Sequence, residues 1–160
     1  MAVRRLARVE VPPRAEMRFL VELNLRGGVP GAPGASLVDG VAVQGAGGGV
    51  CLVAGVVHAA ALRAGLGVIE RAGHSAPGSS LPAGLDAAVS EEGGTDLVLW
   101  NPYRFPLELR LAVADGAVEA RWTAESPGVD CRVGRDARGA LVRRLADGRE
   151  ELLLPAPDRR

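Results

Sequence analysis

The sequence predicts an α+β fold, with one buried central helix packed on a mainly antiparallel sheet and β-hairpins toward the C-terminus. Three observations carry this. Residues 50–64 form one long helical pattern that is apolar nearly all round, with Arg63 as its single charge. On either side the apolar residues come in short runs bounded by glycine and proline, as strands do. Asp115-Gly116 and Asp147-Gly148 each sit between two such runs, and Asp-Gly is a strong short-range hairpin signal.

Taken in order, residues 17–25 place Phe19, Val21, Leu23 and Leu25 at alternate positions and are expected as a strand. Residues 27–34 are dense in glycine and proline and read as a loop. Residues 37–43 read as a short strand or turn-strand leading into the run Gly47-Gly48-Gly49. The helix follows without a break. An apolar surface on all sides belongs to a buried helix, not one laid on a surface. Gly65 suits the position just past its end, and Ala54, Gly55, Ala59, Ala60 and Ala61 let a sheet come close. Gly55 weakens helix propensity by about 1 kcal/mol, which packing must offset.

Beyond the helix, residues 68–71 read as a strand and 74–81 as a loop. Residues 85–90 and 96–100 are expected as strands around the turn Glu91-Glu92-Gly93-Gly94. Residues 107–114 and 117–123 pair across Asp115-Gly116, residues 129–133 form a further strand, and 141–145 pairs with 150–154. Residues 155–160 read as a frayed, disordered tail, leaving 1–154 as a single domain. A chain of 160 residues is one domain by size and buries roughly 70% of the surface its unfolded form exposes.

Composition excludes several classes. The 19 basic and 19 acidic residues cancel, so nucleic acid, which needs a basic footprint, is not expected as a partner. No apolar run approaches the ~20 residues that span a bilayer. Arg4, Arg5 and Arg8 are followed by Glu10, Arg14 and Glu16 where a signal peptide carries its apolar core. The chain as given is therefore expected in the cytoplasm, with Cys51 and Cys131 reduced.

Chemistry concentrates at the glycine run, which places Cys51 on the first turn of the helix. Unpaired N–H groups and the positive end of the macrodipole favour a thiolate there. A cysteine at a helix start, a histidine beyond the next strand and an acid near a following one is an order similar to that of papain-like and transglutaminase-like thiol enzymes. In that pattern Cys51 is the nucleophile, His74 the base and Asp86 the group that holds the imidazole. Gly49, Arg71 and Ser75 are the candidate substrate-binding residues around them.

Each has a plainer reading. Cys51 can be a small inert core residue, His74 a turn cap, and Asp86 a turn residue bonded to its own backbone. Arg71 can be a carboxylate's partner and Ser75 a local turn hydroxyl. His58 lies seven residues after Cys51, ~10 Å along the axis, too far to deprotonate it, and is expected as a buried, hydrogen-bonded histidine. No cofactor is implied, because residues 45–49 lack both the Lys-Ser/Thr of a phosphate loop and the dinucleotide glycine spacing. A metal set of Cys51, His74 and Cys131 has no supporting ligand spacing, so no metal is expected. Trp100 and Trp122 read as core or rim aromatics.

The blocks GGGVC, AALRAGL, VIERAGHS, LPAGLDAAV and DLVLWNPYRFPLEL, in this order and spacing, closely resemble the core of the VanW-like domain. The resemblance covers residues 36–113. That family is named for an accessory protein of glycopeptide-resistance gene clusters, and many members are anchored in bacterial envelopes. It therefore implies association with the envelope and a peptide or peptidoglycan fragment as ligand. Where the family usually has Gln-Val-Ser-Thr after the cysteine, this chain has Leu52-Val53-Ala54-Gly55, which removes the polar groups beside the thiol. Two functions follow: a thiol hydrolase or transpeptidase acting on peptide or cell-wall substrates, or a catalytically inactive binding or scaffold module.

Overall fold

The computed structural model describes residues 8–25, 33–38, 41–46, 48–74, 81–114, 117–126, 131–145 and 147–154. In chain order the elements are β1 (Arg8–Val11), β2 (Glu16–Arg18), α1 (Phe19–Leu25), β3 (Pro33–Val38), β4 (Val41–Ala46), α2 (Gly48–Arg63), β5 (Gly67–Glu70), β6 (Val98–Trp100), β7 (Leu107–Ala114), β8 (Ala117–Thr123), β9 (Cys131–Arg135), β10 (Leu141–Leu145) and β11 (Glu150–Leu154). The strands form three three-stranded sheets, ordered β1-β7-β8, β2-β6-β5 and β11-β10-β9, and a β3-β4 hairpin. Every strand pairing among the described residues is antiparallel. The architecture is α+β, with its strands divided among four sheets instead of gathered in one.

Residues 17–25 are not one strand. After three residues of β2 the chain turns into α1, because Phe19 and Leu23, four positions apart, are both fully buried while Val21 is 46% exposed. That is helical spacing, not alternation. The helix start is satisfied from a distance: Asp96 Oδ1 accepts the Leu20 N–H at 3.0 Å, and the Leu97 carbonyl accepts that of Phe19 at 3.0 Å. A cap supplied from so far along the chain cannot be read locally.

Helix α2 runs through the buried cluster, with Val53, Ala54, Val57 and Ala61 packed among Phe19, Leu66, Leu97 and Leu99. Its end is a Schellman motif. Gly65 has φ +78°, its N–H donates to the Leu62 carbonyl at 3.3 Å, and the Leu66 N–H donates to that of Ala61 at 3.0 Å. Tyr103 and Arg143 complete it: the tyrosine hydroxyl donates to the Ala64 carbonyl at 2.8 Å and Arg143 Nη1 to that of Leu66 at 2.7 Å. Arg143 lies in β10, so this contact docks the last sheet against the helix.

Residues 85–90 do not form a strand either. They make two isolated bridges, Ala72 with Ala88 and Ser90 with Thr95. The cause is turn chemistry: Gly84 has φ +88°, the Leu85 N–H closes a turn on the Pro82 carbonyl at 2.9 Å, and Asp86 is bonded to side chains and amides outside any ladder. The hairpin β7-β8 pairs Leu107 to Ala114 with 117–123 as the alternation requires. Its turn residues Asp115 and Gly116, and the expected tail 155–160, lie outside the described residues.

Candidate functional site

The site is built where β5 ends and the segment 81–88 crosses α2. Gly55 lets that segment lie flat on the helix, since a Cβ there would stand 3.3 Å from the Ala87 nitrogen and 3.4 Å from the Asp86 Cα. One turn further along α2, His58 Nδ1 bonds the Leu85 carbonyl at 3.1 Å. From the other side, Arg71 Nε donates to the Asp86 carbonyl at 2.7 Å, and the Ala88 N–H donates to the Ala72 carbonyl at 2.8 Å. Asp86 is thus fixed by its neighbours' backbone before its carboxylate makes any contact.

That carboxylate is 3% exposed as a residue and fully occupied. Oδ1 accepts from Arg71 Nη2 at 2.8 Å and from the Gly84 N–H at 3.1 Å. Oδ2 accepts from the His74 backbone N–H at 2.8 Å and its ring Nδ1 at 2.9 Å. Burial alone pushes the acid up. The two donors of His74, the Arg71 guanidinium and the Gly84 N–H outweigh it and hold the carboxyl at about 2. An ionised carboxylate can only accept, so Nδ1 of His74 carries the proton and Nε2 of the neutral ring is the acceptor. This is the orientation a general base needs, and also that of a fixed recognition group.

Of the residues singled out from the sequence, the structure brings Arg71, His74 and Asp86 together. Arg71 is a carboxylate's partner, as its plainer reading has it. Cys51 sits half-buried in the first turn of α2, where its Sγ donates to the Val89 carbonyl at 3.5 Å. It makes no hydrogen bond with the His74 ring, whose Nδ1 is given to Asp86. Gly49 is a half-buried residue in the same first turn, and Ser75 lies outside the described residues. Cys131 is buried against Gly65 at the opposite end of α2. Both cysteines are free thiols.

His58 is buried and hydrogen-bonded, and burial holds its pKa below the ordinary value for an imidazole. Sequence reasoning did not find that its partner is the segment carrying Asp86. No local signal points there, because the contact joins positions far apart in the chain. Among the described residues no group of three or more His, Cys, Asp or Glu side chains could hold a metal ion, and no helix is long and apolar enough to cross a membrane.

A family model described as VanW like protein matches residues 1–123. The chain is also 38% identical over 74 residues to YoaR of Bacillus subtilis (strain 168), described as an uncharacterized protein; the alignment covers 46% of this chain and 24% of YoaR. The chain therefore spans about a quarter of the length of that relative. No solved structure matches it significantly.

Proposed function

Because this chain belongs to the family of VanW-like proteins, we propose that it is a peptide-recognition module whose binding site is the Arg71–Asp86–His74 cluster, with cell-wall peptide fragments as ligands and the envelope as the place where it meets them. One observation supports this above others. The imidazole is held by a carboxylate that is itself fixed by three further donors, while the thiol is engaged elsewhere, on the Val89 carbonyl. A rigid histidine presenting an acceptor Nε2 suits a peptide N–H. The residues after Cys51, Leu52-Val53-Ala54-Gly55, add nothing polar for a reacting carbonyl.

Titration calorimetry with a purified peptidoglycan stem peptide tests this reading. Wild type and Cys51→Ser should bind alike, and His74→Ala at least tenfold more weakly. Absence of binding to wild type, or loss of binding in Cys51→Ser, retires it.

A second reading, a thiol hydrolase or transpeptidase, has its own support: sulfur and imidazole are anchored to the same short stretch, Cys51 on the Val89 carbonyl and His74 on the Asp86 carboxylate. In that chemistry Cys51 Sγ leaves Val89 and attacks the amide carbonyl, its proton passing to His74 Nε2 and then to the departing amine. Water or an amine then releases the acyl group from sulfur. This reading predicts that iodoacetamide at pH 7 labels Cys51 much faster than Cys131 and that His74→Ala abolishes the difference. Equal, slow labelling of both thiols ends it.

A further inference from the structure

Strand β8 ends its sheet with an open edge. The order β1-β7-β8 leaves one side of Ala117–Thr123 without a neighbouring strand, and among the described residues no backbone hydrogen bond reaches it from elsewhere. Folded proteins usually keep such edges short, or interrupt them with a bulge, a proline or a lysine. β1, at the opposite edge, has four residues, and the edge strand β5 has four with a register shift. β8 has seven, in an unbroken ladder with β7, and contains neither proline nor lysine.

The register with β7 shows which backbone groups are free. Ala114 and Ala117 close a two-residue connection, and a pair in that place exchanges both of its bonds. Counting in twos from Ala117, residues Glu119, Arg121 and Thr123 also turn their N–H and C=O groups toward β7. Those of Val118, Ala120 and Trp122 point to the open edge, where an added antiparallel strand can take them.

Charge selects the strand that fits. Arg8, Arg110 and Arg121 form one row across the sheet, and like charges directly opposite each other repel. Glu108 pairs with Arg8 and Arg110. Among the described residues Arg121 is left without an acid and Glu119, on the same exposed face, without a cation. A second β8, antiparallel and centred on Ala120, sets its Arg121 opposite Glu119 and its Glu119 opposite Arg121. Both ion pairs fall at non-hydrogen-bonded positions, where facing side chains are closest. On the inner face the same register sets Val118 against the second copy's Trp122. Trp122 is only partly covered by the core, and its indole N–H is buried with no acceptor among the described residues, so the inner flank of this edge is incompletely satisfied within one chain.

We propose that the chain forms a symmetric dimer through β8, its two-fold axis passing between the two Ala120 residues. The two three-stranded sheets become one of six strands, β1-β7-β8 continued by β8-β7-β1 of the second copy. The contact is isologous, with the same strand on both sides, as a closed two-fold requires. Both inner faces, and the α2 helix packed within each core, lie on the same side of the joined sheet. Nothing in this draws on Arg71, His74 or Asp86, so it stands apart from the recognition reading.

Sedimentation equilibrium of the whole chain, from micromolar to near-millimolar concentration, tests the dimer. Wild type should move from its chain mass of 16.5 kDa to twice that value as concentration rises. Arg121→Glu sets acid against acid at both symmetry-related positions, and Glu119→Arg sets cation against cation. Each variant alone should dimerise at least tenfold more weakly. Mixed in equal amounts, the two should recover wild-type association, because the register then pairs every acid with a cation. Both positions are exposed, and recovery in the mixture also shows that the variants are folded. A wild type that stays at its chain mass throughout overturns the proposal. So do single variants that dimerise as wild type does, or a mixture that associates no better than its components.

Discussion

Arg71 grips Asp86 at two points, its Nε on the backbone carbonyl at 2.7 Å and its Nη2 on carboxylate Oδ1 at 2.8 Å. The two bonds use adjacent edges of one planar guanidinium, so main chain and side chain of Asp86 are locked relative to each other. A lysine ammonium at this position can hold one of them but not both in register. Arg71→Lys should therefore cost about 1–2 kcal/mol in urea unfolding and loosen His74, seen as faster exchange of its N–H.

Asp86 makes stability depend on acid in a defined range. Its carboxyl sits at about 2 in the folded protein against an ordinary 3.8, so the folded state refuses a proton that the unfolded chain accepts. The stabilisation is complete above about pH 5 and drains away as pH falls toward 2. Its size is about 2 kcal/mol for a shift of this order. Urea midpoints taken from pH 6 to pH 2.5 should fall more steeply in wild type than in Asp86→Asn, which is less stable at pH 6 but lacks this titration.

Gly65 and Gly148 both have positive φ, +78° and +84°, yet substitution should separate them. A Cβ at Gly148 meets nothing within 4 Å, leaving only the left-handed strain of about 1 kcal/mol. At Gly65 it runs into the Tyr103 hydroxyl and comes within 3.3 Å of Cys131 Sγ. Tyr103 must then release the Ala64 carbonyl that it caps. Gly65→Ala should cost about 2–3 kcal/mol and Gly148→Ala about 1 kcal/mol, compared by urea denaturation.

What could be read from the sequence follows the range of the interactions involved. Helix α2, its glycine stop and the hairpins β7-β8 and β10-β11 are written in local periodicity and Asp-Gly turns, and each stands where those signals put it. A third Asp-Gly dipeptide, Asp39-Gly40, lies between β3 and β4, which pair Val38 with Val41; residues 37–43 read as a short strand or turn-strand, not as the centre of a hairpin. Helix α1 was illegible because Phe19 and Leu23 fit a period of two as well as a period near four, and the deciding cap, Asp96, comes from elsewhere in the chain. At the site, the order of Arg71, His74 and Asp86 is visible, but their mutual bonds depend on the turn that Leu85 closes on Pro82, which runs into residues 85–90, where the sequence predicts a strand. The sequence pairs Cys51 with His74 by analogy of order; the carbonyl that takes the thiol, Val89, carries no chemical signature at all.

The two cysteines cannot pair with each other, for a geometric reason that holds in any compartment. Cys51 is in the first turn of α2 and Cys131 packs beside Gly65 just past its end. Fourteen residues of helix separate the two places, about 20 Å, where a disulfide needs Cα atoms within about 7 Å. Treatment of the folded protein with oxidised glutathione should yield no internal disulfide by mass spectrometry under non-reducing conditions. Mixed adducts should form faster on half-buried Cys51 than on buried Cys131.

Arg143 joins the end of α2 to strands that lie beyond the family match. It is buried, donates to the Leu66 carbonyl at 2.7 Å and the Leu62 carbonyl at 3.5 Å, and is neutralised by Glu151, whose Oε2 accepts from Nε at 2.9 Å and Nη2 at 2.5 Å. Helix C-termini favour cations, so the guanidinium serves helix and sheet at once. Arg143→Ala leaves the Leu66 carbonyl without this donor and removes the partner of Glu151, costing about 3 kcal/mol. The loss should be local. Exchange of β9, β10 and β11 amides should quicken while those of β7 and β8 do not, since Arg143 ties the former sheet to the carbonyls of Leu62 and Leu66 and is buried with Cys131, Leu141 and Val142 of the same sheet. Arg143→Lys should restore less than half of the lost stability, because one ammonium cannot reach both the helix carbonyls and Glu151. Equal quickening in β7 and β8 would mean that the last sheet and the family core unfold as one unit.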